Sequence, residues 1–293
     1  MNREKQERRL RELAAGLLSS GKADVVAGIR ENEEAGRPTP FFLTDEKQAG
    51  GMVWNHNCHL NLAHYLRGLR GKRVAVTAKA CDVRSIVMLL GEGQLDREEL
   101  IIIGVECAGM EQSGRPAPGC AECPKSYPEH FDISVGADGS DAFSDLPMPG
   151  DALRVTDWLK ESADEERAGR FRREIDKCIL CFSCRQACPG CYCEKCFIDR
   201  KASPWSRADT DRGTKEAFHL TRAMHLAGRC TACGACERVC PSGVKLGYLF
   251  SGLREFISDL YDFRAGEDPQ SPSALNLCDP DDREIGFLVG DDL

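Results

Sequence analysis

The sequence predicts an α/β fold whose first half is organised by a parallel sheet and whose second half is organised by cysteines. Two continuous apolar runs, RVAVTAK at 73–79 and ELIIIGVEC at 99–107, flank the helical segment DVRSIVMLLGEG. Strands apolar on both faces around one helix are the pattern of a right-handed βαβ unit. Seventeen cysteines lie mostly in tight C-x2-C groups, which suits metal ligation better than a disulfide framework. One cysteine pattern also occurs twice in the second half.

The remaining elements follow from periodicity and turn residues. Residues 2–30 read as a charged amphipathic helix that passes, through GLLSSGKADVVAGI, into a first strand. RPTPFFLTD at 37–45 is extended. NHNCHLNLAHYLRGLRGK spaces Leu62, Tyr65, Leu66 and Leu69 as a helix would and stops at Gly71. Residues 108–150 are loop with a short strand at FDISVG. These pieces divide the chain into an α/β domain at 1–150, a helical connector at 151–177, a cysteine-dense module at 178–263 and an acidic tail at 264–293, read as disordered or as a docking segment.

A hydrophobic fraction of 42% permits a buried core, and a net charge of −8 opposes phosphate-backbone binding, so no nucleic-acid partner is expected. The start MNREKQERRL is not a secretory signal, and LIIIGV is far too short to span a bilayer, so a cytoplasmic protein without membrane insertion is expected.

The repeated pattern is Cys178-x2-Cys181-x2-Cys184-x3-Cys188-Pro189 and Cys230-x2-Cys233-x2-Cys236-x3-Cys240-Pro241. This is the bacterial two-cluster ferredoxin signature, in which the fourth cysteine of each run ligates the other cluster. Cys178, Cys181, Cys184 and Cys240 are expected to hold one 4Fe–4S cluster, and Cys230, Cys233, Cys236 and Cys188 a second. Between the runs lies a long insert with its own helix, TKEAFHLTRAMHLAG, and three further cysteines, Cys191, Cys193 and Cys196. Packing beside the clusters, or service as an alternative ligand, is the preferred reading of this trio. A separate metal site would need a fourth ligand such as Cys58 or Cys278.

Upstream, Cys81 follows the first buried strand and Cys107 ends the second, so parallel strands bring both to one sheet edge, where open α/β sheets place ligands. Cys120-x2-Cys123 can fold over the same edge and complete a third 4Fe–4S site, although four unrelated core cysteines would fit the residues alone. Lys79 and Arg84 flank Cys81 and are candidate cofactor contacts; they could equally pair with carboxylates or tune a cluster. His56, His59 and His64 are read as solvated or core-packed. No arrangement suggests a catalytic acid–base group.

KACDVR, GVECAGM, CAEC and the Asp132–Gly136 element, in that order, resemble the beta subunit family of deazaflavin-reducing hydrogenase and deazaflavin-dependent formate dehydrogenase. The resemblance implies a third 4Fe–4S cluster on Cys81, Cys107, Cys120 and Cys123, and FAD in the family's enzymes. The region that carries the family's large domain is replaced here by the ferredoxin-like module, and no G-x-G-x-x-G loop independently marks a nucleotide site. VVAGI, TPFFLTD, VWNHNCHLNLAHYL, CFIDR and FHLTRAMHLAGRCTACGACERVCP resemble ferredoxin-containing relatives that accompany heterodisulfide-reductase-type complexes.

The expected function is that of an electron-transfer subunit of a multi-subunit oxidoreductase. Its expected partners are a flavin- or metal-containing dehydrogenase or hydrogenase subunit and a heterodisulfide-reductase-like subunit. The alternative is a flavoprotein that exchanges hydride with a nicotinamide or deazaflavin.

Overall fold

The computed structural model describes residues 1–32, 36–120, 123–144, 146, 155–199, 210–271 and 273. The first helix, α1 (Arg3–Ser19), starts where the Asn2 side chain accepts a hydrogen bond from the Lys5 N–H. It buries Leu10, Ala14 and Leu17 on one face. Strand β1 (Val25–Asn32) turns back into β2 (Arg37–Leu43) as an antiparallel hairpin, with Val26 opposite Leu43. The expected extended segment at 37–45 is thus an edge strand, where Pro38 and Pro40 cost no ladder bond to a further strand.

Helix α2 is a single turn (Ala63–Leu66), extended by a 3-10 turn at Arg67–Leu69. The long helix expected from residue 55 onward does not form. Asn55 Oδ1 accepts from the Asn57 N–H at 2.9 Å, and Cys58 Sγ accepts from the Asn55 N–H at 3.3 Å. These local side-chain bonds compete with helical ones.

Strand β3 (Val74–Ala78) is buried throughout, α3 (Ala80–Gly91) follows it, and β4 (Leu100–Val105) pairs parallel to it. A minor hairpin of β5 (Glu111–Gln112) and β6 (Arg115–Pro116) leads to β7 (Ile133–Val135). The main sheet runs β2-β1-β3-β4-β7 and is parallel except for β2. Asp132 sets the register of β7. Its carboxylate accepts from the Ile102 N–H at 2.7 Å and pairs with Arg97. Glu106 is fully buried and gathers the following loop, accepting from the N–H groups of Ala137 and Ser144 at 2.7 and 2.9 Å.

The second half is helical: α4 (Val155–Glu161), α5 (Asp164–Asp176), α6 (Ser183–Gln186), α7 (Arg212–Leu226), α8 (Ala235–Arg238) and α9 (Gly247–Tyr261). Trp158 of α4 meets Tyr248 of α9 edge-on, and the Arg170 guanidinium lies over both rings at 4.3 and 4.7 Å. The core here is small: Ile175, Ala223, Leu226, Val244, Leu246 and Phe250, with six cysteines packed around it. Phe263 and Ala265 join the large first core instead, and the His130 ring meets the Glu267 carbonyl at 2.9 Å. The start of the expected tail is therefore docked. Cys278 lies outside the described residues. Among the described residues no helix is long and apolar enough to cross a membrane.

Candidate metal centres

The parallel register of β3 and β4 delivers Cys81 and Cys107 to the same sheet edge. Cys81, Cys107, Cys120 and Cys123 line one cavity there. The Met110 N–H donates to Cys120 Sγ at 3.4 Å, and Arg84 Nη2 lies 3.6 Å from Cys123 Sγ. Burial pushes the Cys81 thiol well above its ordinary range and Cys107 up to about 12. Such thiols stay protonated at neutral pH unless a metal supplies the compensating charge.

Lys79 and Arg84 differ in what they face. Lys79 is buried, with Nζ 2.7 Å from Asp82 and donating to the Leu60 carbonyl at 2.8 Å. Burial alone would lower its pKa, but Asp82 and the Cys81 thiol more than offset this and hold it raised. Its charge is matched by Asp82. Arg84 is turned toward the sulfur atoms of Cys123, Cys81 and Cys233.

The two ferredoxin-like loops have one backbone shape. Leu180 and Ala232 have φ of 52° and 53°, and Phe182 and Gly234 have φ of 60° and 73°. Left-handed geometry costs a non-glycine residue about 1–2 kcal/mol. In the first loop Leu180 donates to Cys178 Sγ at 3.3 Å, and after the second loop Val244, next to the left-handed Gly243, donates to Cys240 Sγ at 3.3 Å. Cys178, Cys181, Cys184 and Cys240 line a common cavity together with Cys236. Cys236, its thiol raised by burial, interacts electrostatically with Cys188, Cys233 and Cys230. Cys240 thus stands beside the first run and Cys188 near the second, and His219 Nε2 lies 3.2 Å from Cys178 Sγ.

The upstream cavity and the module meet at a tight seam. A Cβ on Gly234 would overlap the Pro118 carbonyl oxygen, and one on Gly119 would come within 3.0 Å of the Cys233 backbone. Arg238 clamps the join, donating to the Pro118 and Cys233 carbonyls at 2.8 and 2.5 Å. Cys233 therefore lines the upstream cavity as well as its own loop.

Iron–sulfur clusters suit these groups on two grounds. Free thiols line shared cavities, and buried guanidinium nitrogens beside them lack protein acceptors: Arg222 Nε and Nη1, and Arg238 Nη2. Arg222 is 3% exposed and faces Cys188, Cys236, Cys191 and Cys184. An arginine so placed has only sulfur to neutralise. Neither Arg222, Arg238 nor His59, which also lines the upstream cavity, was marked by the cysteine spacing. The one available signal was a cation amid the apolar residues of LTRAMHL.

Of the trio, Cys191 is hydrogen-bonded to Cys188 of the first run. Cys191, Cys193 and Cys196 line a third cavity between α6 and α7. Tyr192, between two of them, donates to Glu92 at 2.6 Å and is flanked by the guanidinium groups of Arg67 and Arg229 at 5.1 and 5.0 Å. Cys58 packs in the first core, so it is not the trio's partner. Among the described residues no three His, Cys, Asp or Glu side chains meet as they would around a single ion.

Fold and thiol sets define an α/β iron–sulfur protein, and residues 174–244 match the family described as 4Fe-4S dicluster domain. Along most of its length the chain is similar to F420-dependent formate dehydrogenase subunit beta of Methanocaldococcus jannaschii, 20% identical over an alignment of 357 positions that covers 89% of this chain and 92% of that protein. The F420-dependent formate dehydrogenase 1 subunit beta of Methanococcus maripaludis is 21% identical over an alignment of 352 positions that covers 88% of this chain and 90% of that protein. A probable glycolate oxidase iron-sulfur subunit of Bacillus subtilis is 30% identical over 136 residues, 45% of this chain and 30% of that protein.

Proposed function

We propose that the chain is an iron–sulfur electron-transfer subunit of a multi-subunit oxidoreductase of the formate dehydrogenase kind. It relays single electrons along a line of three 4Fe–4S clusters. Cys81, Cys107, Cys120 and Cys123 hold the first, buried beside the sheet. Cys230, Cys233, Cys236 and Cys188 hold the second, and Cys178, Cys181, Cys184 and Cys240 the third. The observation that carries this reading is Cys233, which lines the first cavity while belonging to the second set.

Bound 4Fe–4S clusters supply one-electron storage and transfer with no substrate bond broken. The chain's residues do the rest. Arg84, Arg222 and Arg238 offset the negative charge of thiolate and sulfide, and the Leu180 and Val244 N–H groups draw density from sulfur. The Lys79–Asp82 pair is self-neutralised at the base of Cys81 and fixes the first turn of α3. At the far end Cys181 is exposed beside Ile179, itself 58% exposed, which makes this the port for a partner. A dehydrogenase or hydrogenase subunit and a heterodisulfide-reductase-like subunit are the partner classes proposed for the two ends.

Iron, acid-labile sulfide and flavin per chain test the reading on anaerobically purified protein. With four irons per cubane, Cys81→Ser/Cys123→Ser should remove about four irons and leave the dicluster signals intact. An unchanged iron content would sink the buried cluster. Stoichiometric flavin would instead favour the hydride-exchanging alternative.

A further inference from the structure

The two cysteine runs end in the same kind of turn but not with the same residue. In Cys188-Pro189-Gly190-Cys191 the Cys191 N–H donates to the Cys188 carbonyl at 3.1 Å. In Cys240-Pro241-Ser242-Gly243 the Gly243 N–H donates to the Cys240 carbonyl at 3.2 Å. Proline presets the backbone at the first central position of each. The second run thus closes its turn with no thiol at the last position, so Cys191 is not there to make the turn.

What Cys191 adds is a side-chain contact. Its turn is seated on α7, where a Cβ on Gly190 would come within 2.9 Å of Leu226 Cδ2. From there the Cys191 thiol reaches a hydrogen bond with Cys188, and both sulfurs face the Arg222 guanidinium. Two free thiols can share a proton in either sense. Ligation removes that freedom, because iron takes a cysteine as thiolate. Once Cys188 is a ligand, only Cys191 has a proton to give. A donor at a ligand sulfur withdraws electron density and favours the reduced, more negative cluster.

We propose that Cys191 is a positioning residue for the cluster held by Cys230, Cys233, Cys236 and Cys188: its thiol donates to Cys188 Sγ and raises that cluster's reduction potential. The proposal rests on the assignment of Cys188 to that cluster. The other dicluster set has a different side chain beside one of its ligands, His219 Nε2 at 3.2 Å from Cys178 Sγ. A thiol in one half of the repeat and an imidazole in the other give two similar clusters separate potentials.

The test is a redox titration of full-length protein, reconstituted anaerobically with ferrous iron and sulfide and followed by electron paramagnetic resonance. Cys191→Ala should lower one dicluster potential by tenfold in equilibrium constant, about 59 mV for one electron, with iron and sulfide content unchanged. Cys191→Ser, whose hydroxyl can still donate, should recover most of the shift. The cluster that moves should be the one that His219→Phe leaves in place. Unmoved potentials in Cys191→Ala overturn the proposal, as does a shift of the same cluster that His219→Phe moves. A loss of about four irons overturns it too, since Cys191 would then be a ligand. Cys188→Ser tests the assignment underneath: it should alter or remove the cluster that Cys191→Ala shifts. Two unaltered dicluster signals in Cys188→Ser would sink that assignment, whereas an altered signal there with no shift in Cys191→Ala sinks the role of Cys191 alone.

Discussion

The hydroxyl groups of Ser85 and Thr231, 146 residues apart in the chain, stand 3.0 Å from each other at the seam between the two halves. Ser85 donates its proton to the Cys81 carbonyl at 3.0 Å, so Thr231 supplies the proton of the pair. A hydroxyl relay thus runs from the loop that begins at Cys230 to the backbone of a cysteine in the first domain. Thr231→Val should cost about 1 kcal/mol and lower the melting temperature of the holoprotein by roughly 2–4 °C. Iron content should not change, and Thr231→Ser should restore the wild-type midpoint. A melting temperature unaffected by Val would mean that the hydroxyl pair adds nothing to the seam.

Gly234→Ala should be far more severe. Left-handed φ alone is tolerated at Phe182, the equivalent position, so strain is the smaller part of the effect. The larger part is the overlap of a Cβ with the Pro118 carbonyl, which forces the loops apart at a cost of more than about 3 kcal/mol. Electron exchange between the buried site and the module should slow by orders of magnitude. Freeze-quench spectroscopy after rapid reduction would show one set of clusters reduced well before the other. Simultaneous reduction would contradict the seam's role.

The thiol chemistry and the βαβ unit were readable from sequence because each depends on local pattern: ligand spacing in one case, two apolar runs about a helix in the other. The seam was not. Gly119 and Gly234 look like ordinary loop glycines until the backbones they admit are in place. The segment from Asn55 misled in the other direction. Its leucines repeat helically, yet Asn55 and Cys58 spend their hydrogen bonds on a turn. Arg222 escaped notice because the thiols it faces, Cys184 and Cys188 among them, lie more than thirty residues away in the chain.

Arg222→Gln removes a buried positive charge shared by two thiol sets. Reduction adds negative charge to a cluster, so losing the cation disfavours it. Both dicluster potentials should fall by roughly 50–100 mV, as read in a redox titration followed by electron paramagnetic resonance. His219→Phe deletes the ring nitrogen beside Cys178 alone, and should shift only one of the two. A shift of only one potential in Arg222→Gln would show that Arg222 acts on a single cluster.

Stripping the metal should divide the molecule. The first core joins sheet and helices through residues such as Leu10, Ile29, Ile86 and Ile103, whereas the module's core has six buried side chains. Without ligated metal that small core should not hold, so hydrogen exchange after chelation should become fast over 178–250 and stay slow in β3 and β4. Refilling should improve as pH rises. Burial holds thiols such as Cys107 and Cys230 up near about 12 and about 11, and each must lose its proton on ligation. Reconstitution yields that rise as pH falls would contradict this assignment.

The two cluster loops share left-handed residues at two equivalent positions, Leu180 with Ala232 and Phe182 with Gly234, so backbone shape alone does not choose which loop faces the first domain. Phe182 forbids one of them. It stands where the second loop has Gly234 and packs its ring edge-on against Phe218, so that position does not offer the open backbone that Pro118 needs. A single missing Cβ therefore acts as a key. It decides which end of a nearly palindromic unit faces the interior and which is offered to the outside world, and so gives the chain a fixed polarity before any partner arrives.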